Sequence, residues 1–352
     1  MEPSANPTSS GPENEWPTLL CDNSRSGGQG AVSVPRPTRV RWQIRMGKSI
    51  RSAPVLRNGI LYVTSLGGNL HAIDVKRGRQ IWQFRAADQI HSTPSLYGNN
   101  VLFGCDAGKV YSVDGNSGKL LWETIAADEV WSSPVVHGGA VYFGSADGNI
   151  YAVHADGGKP RWVRELGGRI YSTPFVAEQQ IYVGCGDGKI YSLESSTGKI
   201  LWGTETGNGI DSSPAVIENT VVVGSEDFFV YALDTNSGKI RWKYETGLGI
   251  SSSPALAGDI AVIGSKNGSL YALSISSGEL RWKAQAGDVI TSSPVISGGV
   301  VCIQSGETQA FDLASGRLIW EARLGGAVQA VPVLTKDVIY LAGNDGEVYA
   351  LE

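Results

Sequence analysis

Short runs of alternating apolar and polar residues, separated by turn residues, follow one another along nearly the whole chain. Residues 130–166 show the pattern once: a β-branched run with a proline (VWSSPVV), two alternating runs (AVYFGSA and IYAVHA) and a fourth run, RWVREL. Alternation with period two predicts half-buried strands, and the Asp-Gly pairs between runs are typical of tight hairpin turns. The pattern therefore predicts a four-stranded antiparallel sheet.

This unit occurs eight times. Seven prolines, from Pro54 to Pro294, stand 40 residues apart, and Pro332 follows after 38. Tryptophans keep the same spacing, at Trp42, Trp82, Trp122, Trp162, Trp202, Trp242, Trp282 and Trp320. The two missing residues must lie between Pro294 and Ala310, because Ala310 and Trp320 keep the usual spacing of ten. An internal repeat of this length is typical of arrays built from one supersecondary unit.

Eight such sheets in succession predict an all-β fold, an eight-bladed β-propeller of four-stranded antiparallel blades. The first element, RVRWQIRM, is a fourth strand without a sheet before it, and the last, EVYALE, is a third strand without a fourth. We expect the N-terminal strand to join the C-terminal blade and close the ring, since an open edge would favour aggregation. Residues 36–352 are predicted to form this single domain, and residues 1–35 a disordered tail and lead-in segment.

Composition narrows the classes of partner. The net charge is −5 and no basic run is present, so nucleic acid and anionic membranes are poor partners. No stretch approaches 18 apolar residues, so we expect no transmembrane segment. We also expect a monomer. The four cysteines are predicted to be free thiols, because no Cys-x-x-Cys or metal-ligand spacing occurs among them: Cys21, Cys105, Cys185 and Cys302.

Each periodic tryptophan stands in a motif with a small residue ten positions earlier and, in seven units, a glycine four positions earlier, as in YALDTNSGKIRW (Tyr231 to Trp242). The motif resembles the tryptophan-docking motif of quinoprotein-type β-propellers, the family of pyrroloquinoline quinone (PQQ) dehydrogenases and their non-enzymatic relatives. The lead-in EWPTLLCDNSRSG is similar to that of such proteins. The resemblance implies that all eight tryptophans are structural, each inserted between its own small residue and the glycine turn of the next blade.

The resemblance also implies what an enzyme of this family needs: a bound calcium or lanthanide, an aspartate base and a tryptophan beneath the cofactor, built on long insertions. This chain has no insertions and no Cys-Cys pair. We therefore expect no catalytic residues, no cofactor and no metal. The alternative hypothesis is a PQQ-dependent alcohol or sugar dehydrogenase that uses calcium, with Trp131 beneath the cofactor. Arg51 or Arg169 would then bind the cofactor's carboxylates, and Asp211 would act as base.

One position, three residues before each proline, changes in every unit although its neighbours barely change. The residues there are Arg51, His91, Trp131, Tyr171, Asp211, Ser251, Thr291 and Gln329. A second variable row, two residues earlier, contains Glu129 and Arg169. Both rows begin the predicted innermost strands, so their side chains are expected at one rim of the central channel. We predict a ligand-binding rim made of Arg51, His91, Glu129, Trp131, Arg169, Tyr171, Asp211 and Gln329, with Trp131 as a stacking platform.

The leading hypothesis is a non-catalytic propeller that binds a small molecule or a protein segment at this rim. It would resemble the scaffold and sensor members of the family, such as outer-membrane assembly lipoproteins and receptor domains of bacterial kinases. The alternatives are the PQQ-dependent dehydrogenase and a purely structural protein–protein interaction module. The resemblance implies an extracytoplasmic location, but the chain shows no signal peptide, so a cytoplasmic location stays open.

Overall fold

The computed structural model describes residues 34–287, 289–323 and 330–352. All regular elements in these ranges are strands, arranged as eight four-stranded sheets. The predicted all-β, eight-bladed propeller is confirmed. The described residues contain no helix long and apolar enough to cross a membrane. Most of the predicted disordered tail, Cys21 and the rim candidate Gln329 lie outside the described residues.

The strands run outward from the channel within each blade, apart from the N-terminal strand, β1 (Val40–Arg45). Blade I consists of β2 (Val55–Arg57), β3 (Ile60–Ser65), β4 (Asn69–Asp74) and β5 (Arg79–Arg85). Blade II consists of β6 (Ser95–Tyr97), β7 (Asn100–Gly104), β8 (Lys109–Asp114) and β9 (Leu120–Ile125). Blade III consists of β10 (Val135–His137), β11 (Ala140–Gly144), β12 (Asn149–His154) and β13 (Pro160–Glu165). Blade IV consists of β14 (Phe175–Ala177), β15 (Gln180–Gly184), β16 (Lys189–Glu194) and β17 (Ile200–Glu205).

The second half of the ring repeats this order. Blade V consists of β18 (Ala215–Ile217), β19 (Thr220–Gly224), β20 (Phe229–Asp234) and β21 (Ile240–Glu245). Blade VI consists of β22 (Ala255–Ala257), β23 (Ile260–Gly264), β24 (Ser269–Ser274) and β25 (Leu280–Gln285). Blade VII consists of β26 (Val295–Ser297), β27 (Val300–Gln304), β28 (Thr308–Asp312) and β29 (Leu318–Ala322). Blade VIII consists of β30 (Val333–Leu334), β31 (Ile339–Ala342), β32 (Glu347–Leu351) and β1.

The two chain ends close the ring, as predicted. Strand β1 pairs antiparallel with β32, and Trp42 lies opposite Ala350. The backbone amides of Thr38 and Arg39 also donate to the Glu352 carbonyl, at 2.8 and 3.0 Å. The two-residue deletion falls in the β27–β28 turn, inside the predicted window: Gln304 pairs with Thr308, whereas the equivalent Gly104 pairs with Val110.

Seven of the periodic indoles bind the next blade. Each donates its Nε1–H to a backbone carbonyl there, at distances between 2.7 and 3.0 Å: Trp42, Trp82, Trp122, Trp162, Trp202, Trp242 and Trp282. Gly78 shows why the turn needs glycine, because its φ is +59° and a Cβ there would lie 2.5 Å from Trp42 Cγ. Trp320 differs, since the chain ends replace the glycine turn, but it is only 4% exposed.

A chain of hydroxyl groups links the inner strands of neighbouring blades. The backbone amide of one residue donates to the hydroxyl of its equivalent in the next blade, from Thr93 to Ser133 at 2.9 Å and from Ser253 to Ser293 at 2.9 Å. The complete set, here called the hydroxyl belt, contains Thr93, Ser133, Thr173, Ser213, Ser253 and Ser293. It ends on both sides of blade VIII, because the equivalent residues are Val331 and Ala53. An apolar cluster from blades VII, VIII and I fills this region.

Candidate functional site

The variable rows lie where the chain enters the inner strands, which contact one another around the channel. The loop that enters each blade is held through the backbone against the hairpin between the second and third strands of the same blade. The carbonyl of Glu129 accepts from the Ala146 amide at 2.9 Å, and the carbonyl of Arg169 accepts from the Gly186 amide at 2.8 Å. Because each loop is fixed in the same way, the side chains of both rows are presented at one rim.

Four of the predicted rim residues form one continuous stack across blades II, III and IV. The His91 and Trp131 rings stack with centroids 4.3 Å apart, and Trp131 stacks on Tyr171 at 4.5 Å. The guanidinium of Arg169 lies 5.1 Å from the centre of the Tyr171 ring. We call His91, Trp131, Tyr171 and Arg169 the rim stack. Both faces of the indole are covered, so the hypothesis that Trp131 itself stacks on a flat ligand does not fit this geometry.

Asp106 fixes the edge of the stack. Its carboxylate accepts a hydrogen bond from Trp131 Nε1 at 3.0 Å and lies 3.7 Å from His91 Nε2. Burial raises the pKa of the Asp106 carboxyl, against the opposing effect of the Trp131 hydrogen bond. Burial lowers the pKa of His91, and the nearby Arg51 guanidinium lowers it further. These shifts favour a neutral imidazole in the stack near neutral pH.

Asp106 belongs to a third row that the sequence analysis missed. The row stands one position after the Ser or Cys slot that ends each second strand, and it holds Leu66, Asp106, Ala146, Gly186, Glu226 and Lys266. Its signal was present in the sequence, because this position also varies inside a constant 40-residue frame. Its proximity to the other rows depends on the pairing of loops from different blades, which periodicity alone does not give.

Carboxylates gather beside the stack on blades II and III. Burial raises the pKa of Glu129, and the neighbouring Asp106 and Asp128 carboxylates raise it further. Arg51 is exposed at the end of the stack beyond His91. The rim therefore combines aromatic rings with charges of both signs. The Arg51 charge lowers the pKa of His91 in the stack, and the Glu129 charge raises it.

The opposite end of the stack leads to a polar region on blades V and VI. Burial raises the pKa of Asp211, while the nearby Arg169 guanidinium lowers that pKa. Ser251 Oγ is buried and has no hydrogen-bond partner among the described residues. Lys266 Nζ contacts both carboxylate oxygens of Glu226, at 2.6 and 2.8 Å. The Asp211 carboxylate is half-buried at the rim and can accept a hydrogen bond from a ligand.

The PQQ hypothesis can be tested against this arrangement. A flat cofactor above Trp131 would need one free face of the indole, and His91 and Tyr171 occupy both faces. The residues present do not fit the group in the way the hypothesis requires. Across the described ranges, no group of three or more His, Cys, Asp or Glu residues could hold a metal ion. The three described cysteines, Cys105, Cys185 and Cys302, are free and buried.

Comparisons with known proteins agree on the fold. The family model described as outer membrane protein assembly factor BamB matches residues 25–184 and 147–352. No curated protein matches the chain. The crystal structure of BamB from Moraxella catarrhalis is 20% identical, covers 89% of this chain and 99% of its own, and gives a TM-score of 0.77. Quinohemoprotein alcohol dehydrogenase from Comamonas testosteroni is 15% identical, covers 96% of this chain and 80% of its own, with a TM-score of 0.79.

Proposed function

Since the chain belongs to the family of the outer membrane protein assembly factor BamB, we propose that it is a non-catalytic propeller that binds a protein segment at the rim and works as a scaffold. The family contains propellers whose role is to hold partners, and fold alone does not supply a reaction. Similarity to the dehydrogenase, at 15% identity, concerns the fold only. The proposal therefore rests on the rim itself.

The rim stack is the observation that carries the proposal. Trp, Tyr and Arg dominate the binding energy of protein interfaces, because they offer large contact areas with few rotatable bonds. In this rim three such residues are held in place by one another and by Asp106 before any partner arrives. Preorganisation of this kind lowers the entropic cost of association. A ridge of ring edges and a guanidinium suits a protein surface better than a flat ligand that needs a free ring face.

Asp211 complements the stack. A peptide group that reaches the blade V–VI side can donate its N–H to the half-buried Asp211 carboxylate. Covering this carboxylate without a hydrogen-bond donor would cost about 1–3 kcal/mol or more, so a segment that docks here needs a donor at this point. A small polar molecule with a donor group would bind the same carboxylate, and a metabolite screen distinguishes the two classes of ligand.

Site-specific photo-crosslinking in the native host tests the proposal. A photoreactive residue at Thr291, exposed on the rim, should give protein adducts that disappear when Trp131→Ser and Arg169→Ala are combined. The same residue at Gln179, exposed on the opposite face, is the matched control and should keep whatever adducts it has. Rim adducts that survive the double variant would overturn the rim as the binding site. A thermal shift with a metabolite set, and no protein adduct, would favour the small molecule.

A further inference from the structure

The eight outer strands present equivalent positions, which allows their exposed faces to be compared. Each outer strand is the last strand of its sheet. One face carries the residues before, after and three after the docking tryptophan, and this face is exposed in blade II at Leu121, Glu123 and Ile125. Because all blades have the same strand order and residue spacing, a residue type found in one blade only is a property of that blade and not a requirement of the fold.

Blade II departs from the others at this edge. The first position, the residue before the docking tryptophan, is an arginine in blades III, V, VI and VIII. The second position, three residues after the tryptophan, is charged in every blade except II and VI, and blade VI has the polar Gln285 there. Blades I, IV and VII have an apolar residue at the first position but Arg85, Glu205 and Arg323 at the second. Blade II alone has apolar residues at both, Leu121 and Ile125.

These two side chains are strongly exposed. Leu121 is 48% exposed, and Ile125, at 64%, is the most exposed large hydrophobic side chain among the described residues. An edge strand offers unpaired N–H and C=O groups, and proteins usually protect such edges with charges. Strand β9 has the same open backbone edge but no charged residue at either of these two positions, whereas each equivalent strand has a charged residue at one of them or at both.

We propose that the outer edge of blade II, Leu120–Ile125, is a docking surface on which an extended segment of another protein adds as a fifth strand. Backbone hydrogen bonds along β9 would supply affinity, and Leu121 and Ile125 would select apolar side chains at alternate positions of the segment. This site is separate from the rim and does not depend on the function proposed for it.

Glu123 determines which segment fits. It lies between Leu121 and Ile125 on the same face; its Oε1 forms an ion pair with Lys109 at 2.7 Å, and its Oε2 is left for a basic residue of an incoming segment. A second copy of β9 paired antiparallel with its apolar residues in register would place Glu123 opposite Glu123, and like charges directly opposite are destabilising. The fitting segment therefore has an apolar–basic–apolar alternation, and a second copy of this chain is disfavoured.

A synthetic peptide, acetyl-Thr-Val-Thr-Lys-Thr-Val-Thr-amide, is the probe, with a version that has Glu in place of Lys as its control. Titration followed by amide hydrogen exchange should show binding that protects β9. Ile125→Arg, which introduces the residue type found in blades I, VII and VIII, should weaken this binding by about tenfold, because it removes an apolar contact and adds charge. The Glu peptide should bind more weakly than the Lys peptide.

The matched control is Leu201→Arg, which adds the same charge to the outer edge of blade IV, where Glu205 already stands. It should leave peptide affinity unchanged, and so should the rim variant Trp131→Ser. Equal loss in both arginine variants, absence of protection at β9, or a dimer of the wild type that Ile125→Arg abolishes would each overturn the proposal. A failed rim experiment would leave this result unaffected.

Discussion

At the scale of single residues, tryptophan has two different structural roles in this chain. Trp122 donates to the Ala155 carbonyl of the next blade and packs against Gly158, as its equivalents do in other blades. Trp131 instead contacts His91, Tyr171 and the Asp106 carboxylate. The first role holds two blades together, while the second shapes a surface at the rim.

Substitution should separate these roles. We expect Trp122→Ala to lower the free energy of unfolding by about 3–5 kcal/mol, and Trp131→Ser by about 1–2 kcal/mol, since it loses ring stacking and one hydrogen bond at a part-exposed position. Urea unfolding of the two variants measures the difference. If Trp131→Ser is as destabilising as Trp122→Ala, the rim stack is part of the core and its role in binding should be abandoned.

Two histidines should make stability depend on pH. Burial lowers the pKa of His71 and of His91 below the ordinary value of 6.5. The unfolded chain then takes up these protons first, so the stability they contribute is present above about pH 6.5 and is lost as the pH falls through their folded-state pKa values. Thermal unfolding between about pH 7.5 and 5 should show the loss.

His71→Gln provides the check on this pH dependence. His71 Nδ1 contacts Gln80 Oε1 at 2.7 Å, and its Nε2 is buried with no hydrogen-bond partner in the part of the chain that the structure describes. The variant removes the titrating group, so its melting temperature should fall less steeply with pH than that of the wild type. His154→Gln, at an exposed position, should keep the wild-type slope. An unchanged slope in His71→Gln would contradict the assignment.

At the scale of strands and blades, periodicity predicted most of the structure. The strands, the ring closure and the position of the two-residue deletion all follow from residues that recur every 40 positions. The variable slot was equally visible, but the use of its side chains was not. Trp131 was predicted to offer a free face, because a sequence does not show that equivalent side chains on adjacent blades lean toward one another. Asp106 was missed for a related reason, since it reaches the stack from a different hairpin.

Strand β1 provides a test of the closure. Deleting residues 1–46 removes β1 and leaves β32 as an open edge beside a large apolar cluster. We expect aggregation or a large loss of stability, whereas deletion of residues 1–14 should do little. Size-exclusion chromatography and thermal unfolding of the two truncations measure this. A 1–46 deletion that melts like the full chain would contradict the role of β1.

At the scale of the whole molecule, the comparison with quinone-dependent dehydrogenases leads to a direct assay. The stack of His91, Trp131 and Tyr171 leaves no free indole face for PQQ. We therefore expect no PQQ-dependent dye reduction with alcohols or sugars in the presence of calcium. Steady turnover that a chelator abolishes would show that the enzyme hypothesis is correct and that the cofactor binds elsewhere.

The interrupted hydroxyl belt makes the ring mechanically unequal around its circumference. Blades I to VII are joined at the channel by the directional hydrogen bonds of the belt, while blade VIII is held there by apolar contacts, and the pairing of the chain ends lies at its outer edge. Apolar contacts tolerate sliding, so the lowest-energy opening of the ring should occur on either side of blade VIII. In a circular permutant whose new chain ends lie between blades IV and V, the chain ends and the weak contacts around blade VIII would be in different parts of the ring. Such a permutant should therefore open near blade VIII and also at its new ends.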